Sequence, residues 1–167
     1  AQPFNERIRT YSRLEQLFQQ LGELIQRDPP IDHHHALATL FEIMDVAARA
    51  DLKSDVLKDL EKQKQALNSY RGNPAISEAT LDAVIQQLDS CYAALHSQPG
   101  KAGQSLTEND WLMSIRSRVS IPGGTCAFDL PAYFAWQHLS AEQRRADLNR
   151  WSTTLVPLAE SLRMLLK

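Results

Sequence analysis

The sequence predicts an all-α fold, a bundle of about seven helices with short connections. Three observations predict it. Apolar residues recur at steps of three and four, the period of a helix that buries one face. Glycine is scarce, six in 167 residues, where an all-β chain needs many turn glycines. Breaks in the apolar pattern fall at proline and glycine, and no strand-like alternation of four or more residues survives.

The first helix spans residues 5–27, with Ile8, Tyr11, Leu14, Leu17, Phe18, Leu21, Leu24 and Ile25 along one face and Asn5 as N-cap. Asp28-Pro29-Pro30 ends it, because proline lacks an N–H and disfavours helix just before itself. Asp32 is placed to cap a second helix carrying Leu37, Leu40, Phe41, Met44 and Ala47 or Ala48. A third carries Leu52, Val56, Leu57, Leu60, Leu67 and Tyr70, and Arg71-Gly72-Asn73-Pro74 stops it. Ser77 caps a fourth, with Leu81, Val84, Ile85, Leu88, Tyr92 and Leu95.

Residues 97–105 read as the longest flexible stretch. Thr107 with Asp110 resembles a weak capping box for a fifth helix through Trp111, Leu112 and Ile115. Residues 119–131 are the least helical segment, and Asp129 or Leu130 opens a short helix with Pro131 in its first turn. Ser140 and Gln143 form a capping box for the last helix, which carries Leu148, Trp151, Leu155, Leu158, Leu162 and Leu165 and is kinked by Pro157.

The length suits one helical domain over residues 1–167, and 43% apolar with 23% charged residues argues against disorder. The formal charge of −2 gives no global pull towards nucleic acid. Its distribution is uneven: residues 1–110 hold 11 basic and 16 acidic side chains, residues 111–167 hold 7 and 4. The C-terminal third is therefore the expected place for an anionic partner. Cys91 and Cys126 make no disulfide framework and fit a reducing compartment. No apolar run approaches the roughly 20 residues of a membrane span, no signal peptide is visible, and the cytoplasm is the expected location. The chain begins without Met and stops at Leu165-Leu166-Lys167 inside an apolar helical pattern, so the reading is a fragment of something longer.

His33-His34-His35 invites a metal reading, but neighbours on a helix point about 100° apart, so three in a row do not converge on one ion. A polar first turn is the plain alternative. Cys126 with His138 suggests a thiol nucleophile, against the ordinary fate of cysteine as a buried small residue. Gly123-Gly124 can form a backbone nest for an anion or simply a tight turn, and no P-loop follows it. Asp51, Asp55 and Asp59, interleaved with lysines, read as a solvated helix face. Arg116, Arg118, His138 and Arg144 form a cationic cluster around a turn and a helix junction, and guanidinium groups hold carboxylates by paired hydrogen bonds. Arg9 and Arg13, four apart, share a face of the first helix. No catalytic triad, glycosidase pair or nucleotide signature is present.

The segment Arg116-Ser-Arg-Val-Ser-Ile-Pro-Gly-Gly-Thr-Cys-Ala-Phe-Asp-Leu-Pro131, followed by Trp136-Gln-His-Leu139 and Arg144, resembles the signature of the ZapD family of bacterial cell-division proteins. Phe4-Asn-Glu-Arg-Ile-Arg-Thr10 with Arg13 and Glu15, Ile85-Gln-Gln-Leu88 and Leu155-Val-Pro-Leu158 are similar too. The resemblance implies a homodimer that binds the C-terminal tail of the tubulin-like protein FtsZ and cross-links its filaments at mid-cell. It implies no catalysis, no cofactor, no metal and neither nucleic acid nor membrane as partner. It also implies a β-strand domain that this chain lacks. Carried over by position, the partner-binding residues are Arg9, Arg13, Arg116, Arg118, His138 and Arg144. Trp111, Phe128, Tyr133 and Trp136 are candidate groove walls, with core packing the preferred reading. Two other functions stay open: a structural dimerisation scaffold whose tail contacts lie in the missing domain, and an anion- or nucleotide-handling enzyme built on Gly123, Gly124 and Cys126.

Overall fold

The computed structural model describes residues 4–49, 51–119 and 131–167. Among them run eight α-helices: α1 (Phe4–Gln26), α2 (Pro30–Ala47), α3 (Leu52–Asn68), α4 (Glu78–Ser97), α5 (Asp110–Val119), α6 (Pro131–Gln137), α7 (Ala141–Ser152) and α8 (Val156–Leu165). Short 3-10 turns occupy Gln104–Glu108 and Thr153–Leu155, and the described residues contain no strand. The fold is all-α. Among the described residues no helix is long and apolar enough to cross a membrane.

The core is organised by α2. Ten of its residues are buried, on more than one side: His33, Ala36, Leu37, Thr39, Leu40, Phe41, Ile43, Met44, Val46 and Ala47. A helix that is apolar nearly all round belongs in the middle, and α2 packs on α1, α5, α6 and α7. Its pairing with α1 is antiparallel, since His33 meets Ile25, Thr39 meets Gln20 and Glu42 meets Arg13. A second antiparallel pair, α3 and α4, is laced at its surface by Lys64–Asp89 at 2.8 Å and Arg71–Glu78 at 3.2 Å. The closing helix α8 lies against α4, α3 and α1.

Two caps follow the sequence reading. The Ser77 hydroxyl accepts from the Thr80 N–H at 3.3 Å, and Ser140 with Gln143 makes both bonds of a capping box at 3.1 and 3.2 Å. Elsewhere the chain finds other solutions. Helix α2 starts at Pro30, with extended Pro29 before it, and Asp32 sits in the first turn. Proline is pre-shaped for that position, and a carboxylate there faces the positive helix end. Helix α5 is capped by Asn109, whose side-chain oxygen accepts from the Leu112 N–H at 3.0 Å, so the Thr107–Asp110 box is not used. The last helix is not one kinked rod. It divides at the Thr153–Leu155 turn and restarts as α8 with Pro157 in its first turn, where the missing N–H is harmless, which raises the helix count from seven to eight.

The stretch read as flexible is fastened down. Lys53 donates to the carbonyls of Gln98 and Gly100, Lys101 to that of Ala48 at 3.1 Å, and the Gln98 amide to that of Thr154 at 2.8 Å. Ala102 within it and Leu106 just after it are buried. Gly103 has φ +77, and a Cβ there would stand 3.0 Å from Leu155 Cδ2, so both conformation and space call for glycine. The acidic series on α3 is likewise not a solvated face. Asp55 is buried, and Asp59 accepts from Tyr11 Oη at 2.7 Å and from Arg7 at 3.2 Å, joining α3 to α1.

Candidate partner-binding site

Helix α2 decides where the expected cations stand. Arg13 on α1 reaches Glu42 at 3.2 Å, and Arg116 on α5 reaches Asp45. Glu42 and Asp45 are three residues apart and so share one face of α2. The result is an exposed acidic ridge with a guanidinium on either side. Arg9 lies one turn before Arg13 and is exposed, as is Arg118 near the end of α5. The Asp45 and Arg116 side chains retain 56% and 30% of their exposure, which leaves their pairing open to exchange with an incoming carboxylate.

Arg144 does something else. Only 3% exposed, it donates Nε–H to Nδ1 of His33 at 2.9 Å and Nη2–H to the Asp28 carbonyl at 2.6 Å. Its Nη1 serves the carbonyls of Gln137, at 3.1 Å, and Leu139. The planar fork of donors is thereby spent on the last turn of α6, the α1–α2 corner and a ring on α2. His33 and Asp45 are twelve residues apart on α2, about 18 Å along its axis at 1.5 Å per residue. The cluster anticipated from the sequence is therefore split, with Arg116 and Arg118 near one end of α2 and Arg144 and His138 at the other. His138 is exposed, donates Nδ1–H to the Phe134 carbonyl at 2.9 Å, and lies against the Phe134 ring at 4.2 Å.

His33 is the residue that sequence reasoning missed. It is fully buried rather than part of a polar first turn. Nδ1 accepts from Arg144 and Nε2–H donates to the Ile25 carbonyl at 3.2 Å, which defines a neutral ring in one tautomer. Burial pushes its pKa below the ordinary histidine value; the carbonyls of Ile25 and Arg27 pull the other way, and the charges of Arg144 and Arg145 lower it further. A signal was present: His33, Leu37, Leu40 and Met44 fall at steps of four, three and four, which puts the histidine on the buried face. His34 Nδ1 meets the Tyr133 hydroxyl and His35 is exposed. Among the described residues no group of three or more His, Cys, Asp or Glu is placed to hold a metal ion.

The aromatic residues pack inside. Trp111 stacks on Trp151 with ring centres 5.3 Å apart, Tyr133 stacks on Trp136 at 6.0 Å, and Trp136 Nε1–H donates to Asp147 at 3.0 Å. These rings tie α5, α6 and α7 together rather than lining a groove. Phe128, Gly123, Gly124 and Cys126 lie outside the described residues, as does most of the signature segment.

A ZapD model, described as a cell division protein, matches residues 13–167. The chain belongs to the ZapD family. Cell division protein ZapD of Ralstonia pickettii is 56% identical over 165 residues, 99% of this chain and 66% of that protein. The ZapD of Cupriavidus pinatubonensis is 58% identical over 156 residues, 93% of this chain and 62% of its own length. That of Janthinobacterium sp. is 54% identical over 165 residues. The chain thus spans just under two thirds of the length of these ZapD relatives. The ZapD match takes in Arg13, Arg116, Arg118, His138 and Arg144, and Arg9 precedes it.

Proposed function

We propose that this chain binds the C-terminal tail of FtsZ and, as a homodimer, cross-links FtsZ filaments at mid-cell, without catalysis or cofactor. The observation that carries the reading is the ridge of Glu42 and Asp45, flanked by Arg13 and Arg116, with Arg9 and Arg118 exposed beside it. An acidic peptide lying along this ridge exchanges its own carboxylates for Glu42 and Asp45. The exchange replaces one set of charge pairs with another, so each site is weak and its specificity comes from the spacing of the guanidiniums. Weak sites suffice when a dimer meets a filament that presents many tails. Arg144 takes part as the residue that fixes the α6–α7 corner beside His138, not as a contact to the peptide.

Fluorescence anisotropy of a labelled FtsZ tail peptide, titrated with this chain at low and moderate salt, tests the reading. Saturable binding that weakens with salt is expected, because exposed charges are screened over about 8 Å near physiological ionic strength. Arg116→Glu is expected to abolish it while the helical circular-dichroism signal stays intact. No binding by the wild-type chain at high micromolar concentration makes the chain a dimerisation scaffold. The internal use of Arg144, which leaves fewer cations for a partner, favours that second reading.

A further inference from the structure

A second basic concavity lies beyond Arg116, where α2 turns into α3. A cavity of about 250 Å³ there is lined by Ala47, Leu52 and Leu57 and by the cations Arg49, Lys53 and Lys101. Among the described residues that line it, Asp51 is the one carboxylate. Lys53 and Lys101 bond to backbone carbonyls, which orders the ammonium groups but leaves their charge uncancelled. Arg49 is exposed. Lys101 also lines the neighbouring hollow of about 80 Å³ whose other wall is Arg116, over a floor of Met44, Ala48 and Gly103. Arg116, Lys101, Lys53 and Arg49 therefore follow one another along one continuous surface.

We infer that this corner is a second subsite for the same acidic peptide, taking an aliphatic side chain into the hollow of Ala47, Leu52 and Leu57 while a flanking carboxylate meets Arg49 and Lys101. The inference rests on the peptide-binding reading above. Charge complementarity selects the occupant: three cations around an apolar floor fit a peptide that alternates acidic and aliphatic residues. Positively charged or neutral apolar segments leave the lysine charges without a counter-charge next to an apolar wall. The site works as an extension of the Arg116 contact, because one chain bound at both places binds more tightly than at either.

The test fills the hollow without changing charge. Ser54 lines the cavity and is exposed, so Ser54→Trp blocks it from the rim. Wild type, Ser54→Trp, Arg49→Gln and Arg116→Glu are each titrated against the labelled FtsZ tail peptide, with circular dichroism and sedimentation run on every variant. Ser54→Trp and Arg49→Gln are each expected to weaken binding about tenfold, the size of one lost charge-assisted or well-buried contact, with unchanged helicity and oligomeric state. If both bind like wild type while Arg116→Glu does not, the subsite is wrong and the main reading stands. If wild type itself shows no saturable binding, both fall together. If Ser54→Trp shifts the chain from dimer to monomer with peptide binding intact, the corner is a contact between copies and the inference is overturned.

Discussion

The Nε–H of Arg144 points at Nδ1 of His33 across 2.9 Å, so a permanently charged group is held by a ring that must stay neutral to accept from it. Protonation of His33 would set two donors face to face. Arg145 stands nearby and adds to the repulsion, while Asp28, at 2.7 Å from Arg145, opposes it from the α1–α2 corner. The unfolded chain takes up this proton near pH 6.5 and the folded chain only at lower pH. Between the two values the unfolded state binds more protons, so the contribution of His33 is complete above about pH 6.5 and is lost as pH falls. His34, also held low by burial and by His35, adds in the same direction. Melting temperature is expected to drop between pH 7.5 and 5.5, and His33→Gln to be less stable at pH 7.5 but less sensitive to acid. Equal acid sensitivity in the two proteins would remove His33 from the account.

Truncating Arg144 takes the donor from buried His33 Nδ1 and from three part-buried carbonyls. Arg144→Ala is expected to cost about 3 kcal/mol, because several acceptors lose their donor at once and each unsatisfied buried group costs about 1–3 kcal/mol. The exposed Arg118→Ala is expected to stay within about 0.5 kcal/mol of wild type. Urea titration of both variants checks the contrast, and comparable midpoints would mean the Arg144 network adds little.

In the proposed binding mode, Asp45 is the group that an incoming carboxylate displaces from Arg116. Asp45→Ala is expected to raise affinity for the acidic tail about twofold, the value of an exposed ion pair of a few tenths of a kcal/mol. A fall in affinity would show that Asp45 orients the guanidinium rather than occupying it.

The two buried indoles on α6 and α7 are not equivalent. Trp136 donates to Asp147, whereas Trp151 Nε1 is buried with no partner among the described residues. Replacement by Phe removes a good hydrogen bond in the first case and an unsatisfied donor in the second. Trp136→Phe is expected to cost about 1–2 kcal/mol more than Trp151→Phe. Thermal unfolding of the pair reads the difference directly, and an inverted order would contradict it.

Tyr11 is pushed far above the ordinary tyrosine range by burial first and by its hydrogen bond to Asp59 second, and Tyr133 by burial. Raised phenol values stabilise the fold fully below about pH 10 and lose that contribution above it. Tyrosinate absorbance from these two residues is expected to appear only together with loss of helix. The double variant Tyr11→Phe, Tyr133→Phe should abolish that coincident step.

How much of this was legible depended on whether a signal is local. Ser77 and Ser140 could be recognised as caps because each cap and the N–H that donates to it lie within one turn. Asn109 was overlooked because Thr107 and Asp110 offered a competing pattern two residues away. The α-helical periods were plain, but which polar residues lay on a buried face was not. His33 and Asp55 satisfy the apolar spacing of their helices, yet their types argue for solvent until Arg144, or the α1 side of α3, is known to be there. The cationic cluster failed as a cluster for the same reason. Arginines close in sequence to a turn need not converge, and the length of α2 sets Arg116 and Arg144 apart.

The Arg144 network also sets an order of events. Its acceptors at Asp28 and His33 precede it by 116 and 111 residues. At a synthesis rate of about 5–20 residues per second, His33 leaves the ribosome roughly 6–20 s before Arg144, which donates to its Nδ1. During that interval the first two helices can pair along Leu14, Leu21, Leu37 and Leu40, but their shared corner has to stay hydrated. The turn between α1 and α2 is therefore sealed by a helix made more than a hundred residues after it.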